Sequence, residues 1–141
     1  MLVMNKIRVA VVGVGHLGSL HARIYKDSEN CLLAGVSDID QARLNEASQS
    51  LMAPGCQDYR ELFGRVDAVS IAVPTKLHYK IAAEFLKHKI HALVEKPFTA
   101  SLKEADALIK LAQKNKVILA VGHIERFNSA FSATQKLINR P

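Results

Sequence analysis

Glycines at positions 13, 15 and 18 stand between a first strand, Ile7 to Val12, whose last four residues are apolar, and a segment of helical period that reaches about Lys26. A strand that enters a helix through a Gly-x-Gly-x-x-Gly turn is tightly constrained. Gly13 permits the sharp turn, Gly15 lets a ligand come against bare backbone, and Gly18 lets the helix pack closely on the strand. The first N–H groups of that helix lack intrahelical partners and point, with the positive end of the helix dipole, at whatever occupies the turn. A phosphate group suits such a place. The turn in this context predicts a dinucleotide pyrophosphate site made by Gly13, Gly15, His16, Leu17 and Gly18, with His16 inside the glycine loop. In the competing reading the glycines serve only turn and packing.

The rest of the chain repeats the alternation. Leu32 to Val36 reads as a strand ending at Ser37–Asp38, and Asp40 is placed to cap a helix over Ala42 to Leu51. After Pro54–Gly55 come a short strand near Cys56–Gln57 and a brief helix through Glu61–Leu62–Phe63. Ala68 to Val73 is a fourth strand, stopped by Pro74, which has no N–H to give a ladder. A helix follows from about Lys76 to Lys87, then a strand over Ala92 to Val94. Ser101 and Glu104 form a capping box for a helix to about Gln113, and Val117 to Val121 closes the series. Strands alternating with helices in this way build βαβ units around a parallel sheet buried on both faces. The expected fold class is α/β, a doubly wound parallel sheet of six strands in the order 3-2-1-4-5-6, the Rossmann dinucleotide-binding fold. It is expected to span residues 1–124. In the residues after it, Phe127, Phe131, Thr134 and Ile138 form a helix-period stripe with nothing downstream to cover it.

At 141 residues, 49% of them hydrophobic, the chain suffices for one domain with its own core. Its net charge of +6 suits a phosphate-bearing ligand, an acidic partner or plain solubility alike. Nucleic acid is not expected as a partner. Lys76, Lys80, Lys87, Lys103, Lys110 and Lys114 recur along amphipathic helices as a solvated face does, and aromatic residues amount to only 6%. Cys31 and Cys56 lack metal-ligand spacing and read as buried, reduced thiols of an intracellular protein. His21, His88 and His91 have no ligand spacing either, so no metal site is expected. Met1 to Arg8 lack the apolar core of a secretion signal, and no apolar run approaches the roughly 20 residues of a membrane span. A cytoplasmic protein with no membrane partner is expected.

The other chemistry-bearing residues fall at the carboxyl ends of strands, where doubly wound sheets bind their ligands. Asp38 ends the second strand about 20 residues past the glycines, where a carboxylate accepts hydrogen bonds from both adenosine ribose hydroxyls. Its charge repels a 2′-phosphate, so NAD is favoured over NADP. In the alternative, Asp38 caps the following helix and Arg43 swings in to hold a phosphate. Val73, Pro74 and Thr75 end the fourth strand beside the expected crevice, with Thr75 able to cap the next helix and His78 in its first turn. All four are candidate cofactor contacts, although a histidine in a first turn is often just an exposed polar residue. Glu95–Lys96–Pro97 closes the fifth strand. Glu95 is expected at the cofactor and Lys96 near the nicotinamide, where an ammonium orients a substrate hydroxyl or stabilises a developing alkoxide, unless the pair is an ordinary surface turn. Pro97 fixes the turn through either a cis or a trans peptide. Gly122–His123–Ile124–Glu125–Arg126–Phe127–Asn128 follows the sixth strand. Its polar density marks a substrate or interdomain seam, with His123 and Arg126 as substrate contacts, or else a capped helix entry.

Taken together, Gly13–Val14–Gly15–His16–Leu17–Gly18, Asp38–Ile39–Asp40, Pro74–Thr75–Lys76–Leu77–His78 and Glu95–Lys96–Pro97 resemble the glucose-fructose oxidoreductase, inositol dehydrogenase and MocA family along nearly the whole chain. The resemblance implies NAD(P)-dependent hydride transfer to or from a sugar, nucleotide sugar or polyol, with Lys96 as a catalytic residue in the substrate pocket. Gly122 to Asn128 further resembles a segment of enzymes that oxidise the 3-position of UDP-N-acetylglucosamine. The family also implies a second α/β domain with an open-faced sheet, which supplies most substrate contacts, a catalytic histidine and a dimer interface, so a homo-oligomer accords with the likeness and residues 125–141 are expected to be the start of the connection to an absent carboxy-terminal substrate domain. This chain alone is expected to bind cofactor with little or no turnover. The alternative is a stand-alone dinucleotide-binding module or sensor that docks on another chain through Phe127, Phe131 and Ile138. A third, purely structural reading leaves the crevice empty.

Overall fold

The computed structural model describes residues 6–138. Residues 1–5 and 139–141, which include most of the segment read for a secretion signal and the end of the expected connection, lie outside the described residues. Six strands form one sheet: β1 (Ile7–Val12), β2 (Cys31–Ser37), β3 (Gly55–Cys56), β4 (Ala68–Ile71), β5 (His91–Val94) and β6 (Leu119–Val121). Their order is β3-β2-β1-β4-β5-β6 and every pairing is parallel. Helices α1 (His16–Asp27), α2 (Gln41–Leu51), α3 (His78–Lys87) and α4 (Leu102–Asn115) make the crossovers, and α5 (Ser129–Ile138) follows the sheet. The doubly wound Rossmann sheet expected from the alternation of strands and helices is the fold observed.

The period-two alternation of β1 divides its side chains between two cores. Val11 packs with Ala22, Leu33, Val36, Leu44, Ala47 and Leu51, beneath α1 and α2. Ala10 and Val12 face the other way, into a larger core with Val69, Ile71, Ile81, Phe85, Leu86, Val94 and Leu108, beneath α3 and α4. Phe85, fully buried, meets the Phe63 ring edge-on at 5.1 Å. A central strand walled by helices on both faces explains why Val9 to Val12 are all apolar, while Ile7 and Arg8 at the start of β1 are exposed.

Helix ends follow their capping chemistry. Asp40 accepts the Arg43 N–H at 3.0 Å and starts α2. Ser101 accepts the Glu104 N–H at 3.3 Å, while the Glu104 carboxylate returns to the Ala100 N–H at 3.0 Å, one residue ahead of the cap. Met52 (φ 51°) and Lys116 (φ 56°) close α2 and α4 in the left-handed conformation usually given to glycine.

Four expectations need correction. The fourth strand ends at Ile71, not Val73, because its partner β1 turns away at Gly13 and leaves Ala72 only the Val12 carbonyl. Thr75 does not cap a helix with its side chain: Thr75–Leu77 is a 3₁₀ turn led by Pro74, and α3 begins after it at His78. The sixth strand starts at Leu119, since the Val117 N–H closes α4 on Ala112 and the Ile118 N–H bonds His91 Nδ1. Cys56 is buried, but Cys31 is only half-buried, because burial along β2 grows toward its carboxyl end.

Candidate cofactor site

The three loop glycines do different work. A Cβ on Gly13, whose φ is +86°, would stand 2.5 Å from the Ala72 carbonyl oxygen and 2.8 Å from Val73 Cγ1. One on Gly18 would overlap the Gly13 carbonyl, so both positions are closed by packing. Gly15 has no atom within 4 Å of the Cβ position. It begins α1, whose amino terminus has no side-chain cap and no acidic residue in its first turn. Open space over bare backbone, facing free N–H groups, fits a pyrophosphate. His16 and Leu17 are exposed in that first turn.

Asp38 lies beside the turn, buried at 8% exposure. Its Oδ2 accepts the Val14 N–H of the glycine loop at 2.9 Å, and its Oδ1 accepts the Asp40 N–H at 2.9 Å and the Arg43 guanidinium at 3.3 Å. The carboxylate therefore ties the end of β2 to the glycine loop, while Asp40, not Asp38, caps α2. Arg43 is half-exposed and also lies 3.7 Å from Asp40. Backbone hydrogen bonding from Arg43 holds the Asp40 carboxyl below its ordinary range. A cleft of about 350 Å³ between α1 and α2 runs past Gly15, His16, Arg23 and Arg43.

The other half of the edge is formed by the ends of β4 and β5. Val73 and Thr75 are half-buried and Pro74 is exposed. His78 is 1% exposed and lies between two loops: Nε2 is 2.8 Å from the Val73 carbonyl, and Nδ1 is 2.9 Å from Pro97 O and 3.2 Å from Phe98 O. With both ring nitrogens against main-chain carbonyls, His78 fastens the Val73–Pro74 loop to the turn after β5. The Lys96–Pro97 peptide is cis. Lys96 is exposed at the rim, and Glu95 beneath it is 5% exposed. One Glu95 oxygen accepts the Lys96 N–H at 3.0 Å and the other lies 3.1 Å from His21 Nε2.

The family model described as "Oxidoreductase family, NAD-binding Rossmann fold", of the glucose-fructose oxidoreductase, inositol dehydrogenase and MocA type, matches residues 7–123. The chain belongs to this oxidoreductase family. Within it, the chain is 42% identical over 127 residues to the UDP-N-acetylglucosamine 3-dehydrogenase of Acidithiobacillus ferrooxidans, covering 90% of this chain and 40% of that protein. It is 30% identical over 135 residues to the myo-inositol 2-dehydrogenase of Thermotoga maritima, covering 94% of this chain and again 40% of the relative. Among solved structures, GenD2 from gentamicin A biosynthesis, in complex with NAD, superposes with a TM-score of 0.92 at 28% identity, over 96% of this chain and 39% of that one. The chain thus spans about two fifths of the length of the family members it matches and carries the family's NAD-binding Rossmann fold.

Set against the family's fold, the residues singled out in the sequence fall in three places. Gly13, Gly15, His16, Leu17, Gly18 and Asp38 gather at the β1 and β2 ends. Val73, Pro74, Thr75, His78, Glu95 and Lys96 gather at the β4 and β5 ends. His123 and Arg126 lie in the exposed turn after β6, where no side-chain hydrogen bond joins them to either group among the described residues. Three residues were missed: His21, Tyr25 and Ser70, all hydrogen-bonded together below Glu95. Gly18, His21, Ala22 and Tyr25 share one helical stripe, so the packing role of Gly18 alone turns His21 and Tyr25 toward the sheet.

Proposed function

We propose that the chain is the cofactor-carrying domain of a cytoplasmic NAD-dependent dehydrogenase that transfers a hydride between nicotinamide and a hydroxyl-bearing carbon of a sugar, nucleotide sugar or polyol. One observation carries the reading: the open backbone at Gly15, the Asp38 carboxylate and the Lys96 turn share the carboxyl edge of one parallel sheet. Gly15 and the first turn of α1 would receive the pyrophosphate. Asp38 would take the adenosine ribose hydroxyls, with one lone pair of Oδ2 to spare and Arg43 displaced from Oδ1. Val73, Pro74 and Thr75 would border the cofactor. A bound nicotinamide supplies or accepts the hydride. Lys96, exposed at that end, would orient the substrate hydroxyl and stabilise negative charge developing on its oxygen.

A nucleotide sugar is the favoured substrate class, supported by the 42% identity with a UDP-N-acetylglucosamine 3-dehydrogenase. In that case His123 and Arg126 would meet the substrate from the turn after β6. Residues 1–124 would form the cofactor domain and 125–141 the connection to a substrate domain. Alone, the 141-residue chain is expected to bind cofactor with negligible turnover, since hydride transfer needs the substrate held against the nicotinamide. The free thiols Cys31 and Cys56 accord with a reducing compartment.

Calorimetric titration of the chain with NAD(H) and NADP(H) tests the reading. Tighter binding of NAD(H) is expected; tighter binding of NADP(H) would overturn the cofactor preference, and binding of neither would overturn the assignment. A second reading, a dinucleotide-binding module docked on another chain or on a second copy, is favoured by Phe127 at 90%, Phe131 at 51% and Ile138 at 75% exposure. Sedimentation showing a monomer at all concentrations would remove docking on a second copy.

A further inference from the structure

Helix α1, which follows the glycine turn, and the Glu95–Lys96–Pro97 turn are joined inside the fold by a line of polar side chains that cofactor binding does not by itself require. It crosses three elements: Tyr25 and His21 on α1, Ser70 in β4, and Glu95 just past β5. Tyr25 Oη lies 2.7 Å from Ser70 Oγ, and Ser70 Oγ lies 3.1 Å from His21 Nδ1. His21 Nε2 in turn lies 3.1 Å from Glu95 Oε1, and Glu95 Oε2 accepts the Lys96 N–H at 3.0 Å. One direction of donation satisfies every link: Tyr25 to Ser70, Ser70 to His21 Nδ1, and His21 Nε2–H to Glu95. Ser70 is fully buried, and Gly122 leaves the carboxylate its room, since a Cβ there would stand 2.7 Å from Oε1.

We propose that His21 is a positioning residue for the nicotinamide end of the site, acting through Glu95 on the main chain of Lys96; the inference rests on the chain's being an NAD-binding domain. A carboxylate withdrawn from water keeps its place only while its oxygens are hydrogen-bonded. Here His21 serves one oxygen and the Lys96 N–H the other. Without the imidazole, Oε1 loses its donor, and a carboxylate that swings toward the crevice carries the Lys96 N–H with it. An apolar side chain in place of His21 would fill the space but leave Ser70 and Glu95 short of a partner. In a doubly wound sheet the adenosine half of the dinucleotide lies over the β1–β2 side and the nicotinamide half over the β4–β5 side. The effect of His21 therefore falls on one end of the ligand.

ADP-ribose, which carries the adenosine and pyrophosphate but no nicotinamide, separates the two ends. Calorimetric titration of the wild-type chain, His21→Ala, Glu95→Gln and the double variant with NAD and with ADP-ribose is the test. His21→Ala should weaken NAD about tenfold, roughly 1.4 kcal/mol, and leave ADP-ribose unchanged. Glu95→Gln should do the same, and the double variant should lose no more than either single one. His21→Gln, which offers an N–H near the position of Nε2, should restore most of the loss. Equal weakening of both ligands, no weakening of either, or additive losses in the double variant would overturn the proposal. A wild-type chain that binds neither ligand would overturn the cofactor reading itself, an outcome that no comparison among variants can mimic.

Discussion

Replacing Asp38 with Ala separates a folding role from the proposed recognition role in one residue. In the folded chain the carboxylate accepts from the Val14 N–H, the Asp40 N–H and Arg43. Val14 is 4% exposed, so its orphaned N–H finds no water, at a cost of about 1–3 kcal/mol. Asp40 and Arg43 are exposed and turn to solvent at little cost. The unfolding midpoint should therefore drop by about 3 °C for each kcal/mol lost. Recognition adds a separate loss. Two charge-assisted bonds to the ribose hydroxyls are worth about 1.5–3 kcal/mol each, less the displacement of Arg43 from Oδ1. A net loss of about 3 kcal/mol lowers NAD affinity about a hundredfold. NADP gains nothing from Asp38 in the wild type, so its affinity should hold or rise, and the NAD-to-NADP preference should collapse. Titration calorimetry with both cofactors, beside thermal unfolding without ligand, measures the two parts. An unchanged cofactor ratio would refute Asp38 as the reader of the ribose, and an unchanged midpoint would refute its part in holding the glycine loop.

Gly15→Ala should fold as well as the parent, since φ is −66° and no atom lies within 4 Å of the new Cβ, yet weaken NAD by at least about tenfold by standing where the pyrophosphate must go; full NAD affinity in a folded Gly15→Ala chain would move the phosphate site elsewhere. Lys116→Gly relieves a left-handed residue at the carboxyl end of α4 and should stabilise the fold by about 0.5–1 kcal/mol, read as a higher thermal midpoint. Acid should weaken the fold by a defined route. Arg60 holds the Asp58 carboxyl down to about 2, and Arg8 and Arg43 lower those of Asp67 and Asp40. Groups whose acidity is raised by folding contribute fully above their ordinary value near 3.8 and lose that contribution as pH falls through the folded value, so midpoints should decline between about pH 4 and pH 2. Asp58→Asn should flatten part of that slope, and an identical slope in the variant would refute the assignment.

Much of the fold was legible because periodicity and the glycine turn act locally. Val9 to Val12 is apolar throughout because helices cover it on both faces, and that run announces a central strand. The errors lie where a long-range partner decides an end. Ala72 and Val73 are as apolar as the strand before them, but β1 stops pairing at Val12, and no feature within residues 68–73 records where its neighbour turns. Val117 and Ile118 fail as strand residues for a like reason: the one closes a helix and the other answers His91 from across the sheet.

The site divides along the same line between local and distant causes. Glycines before a helix and an acid after the next strand are fixed by spacing, so their grouping could be read from the chain. The surroundings of His78 and His21 could not. Each histidine meets groups from elsewhere in the sequence, the buried His78 against the carbonyls of Pro97 and Phe98 and the half-buried His21 against Ser70 and Glu95. As isolated letters both resemble surface residues of amphipathic helices, and only the folded sheet makes His21 a tie between α1 and the Glu95 turn and His78 a tie between the loops after β4 and β5. His21 lies in the second turn of α1, on the sheet-facing stripe it shares with Gly18, and His78 opens α3 just after the 3₁₀ turn that Pro74 leads. A polar residue that packing forces toward a buried sheet must find partners there, and at a carboxyl edge the nearest groups available are the loops that hold the ligand. Inward-facing polar residues early in crossover helices are thus where this architecture fastens the turn that carries Lys96.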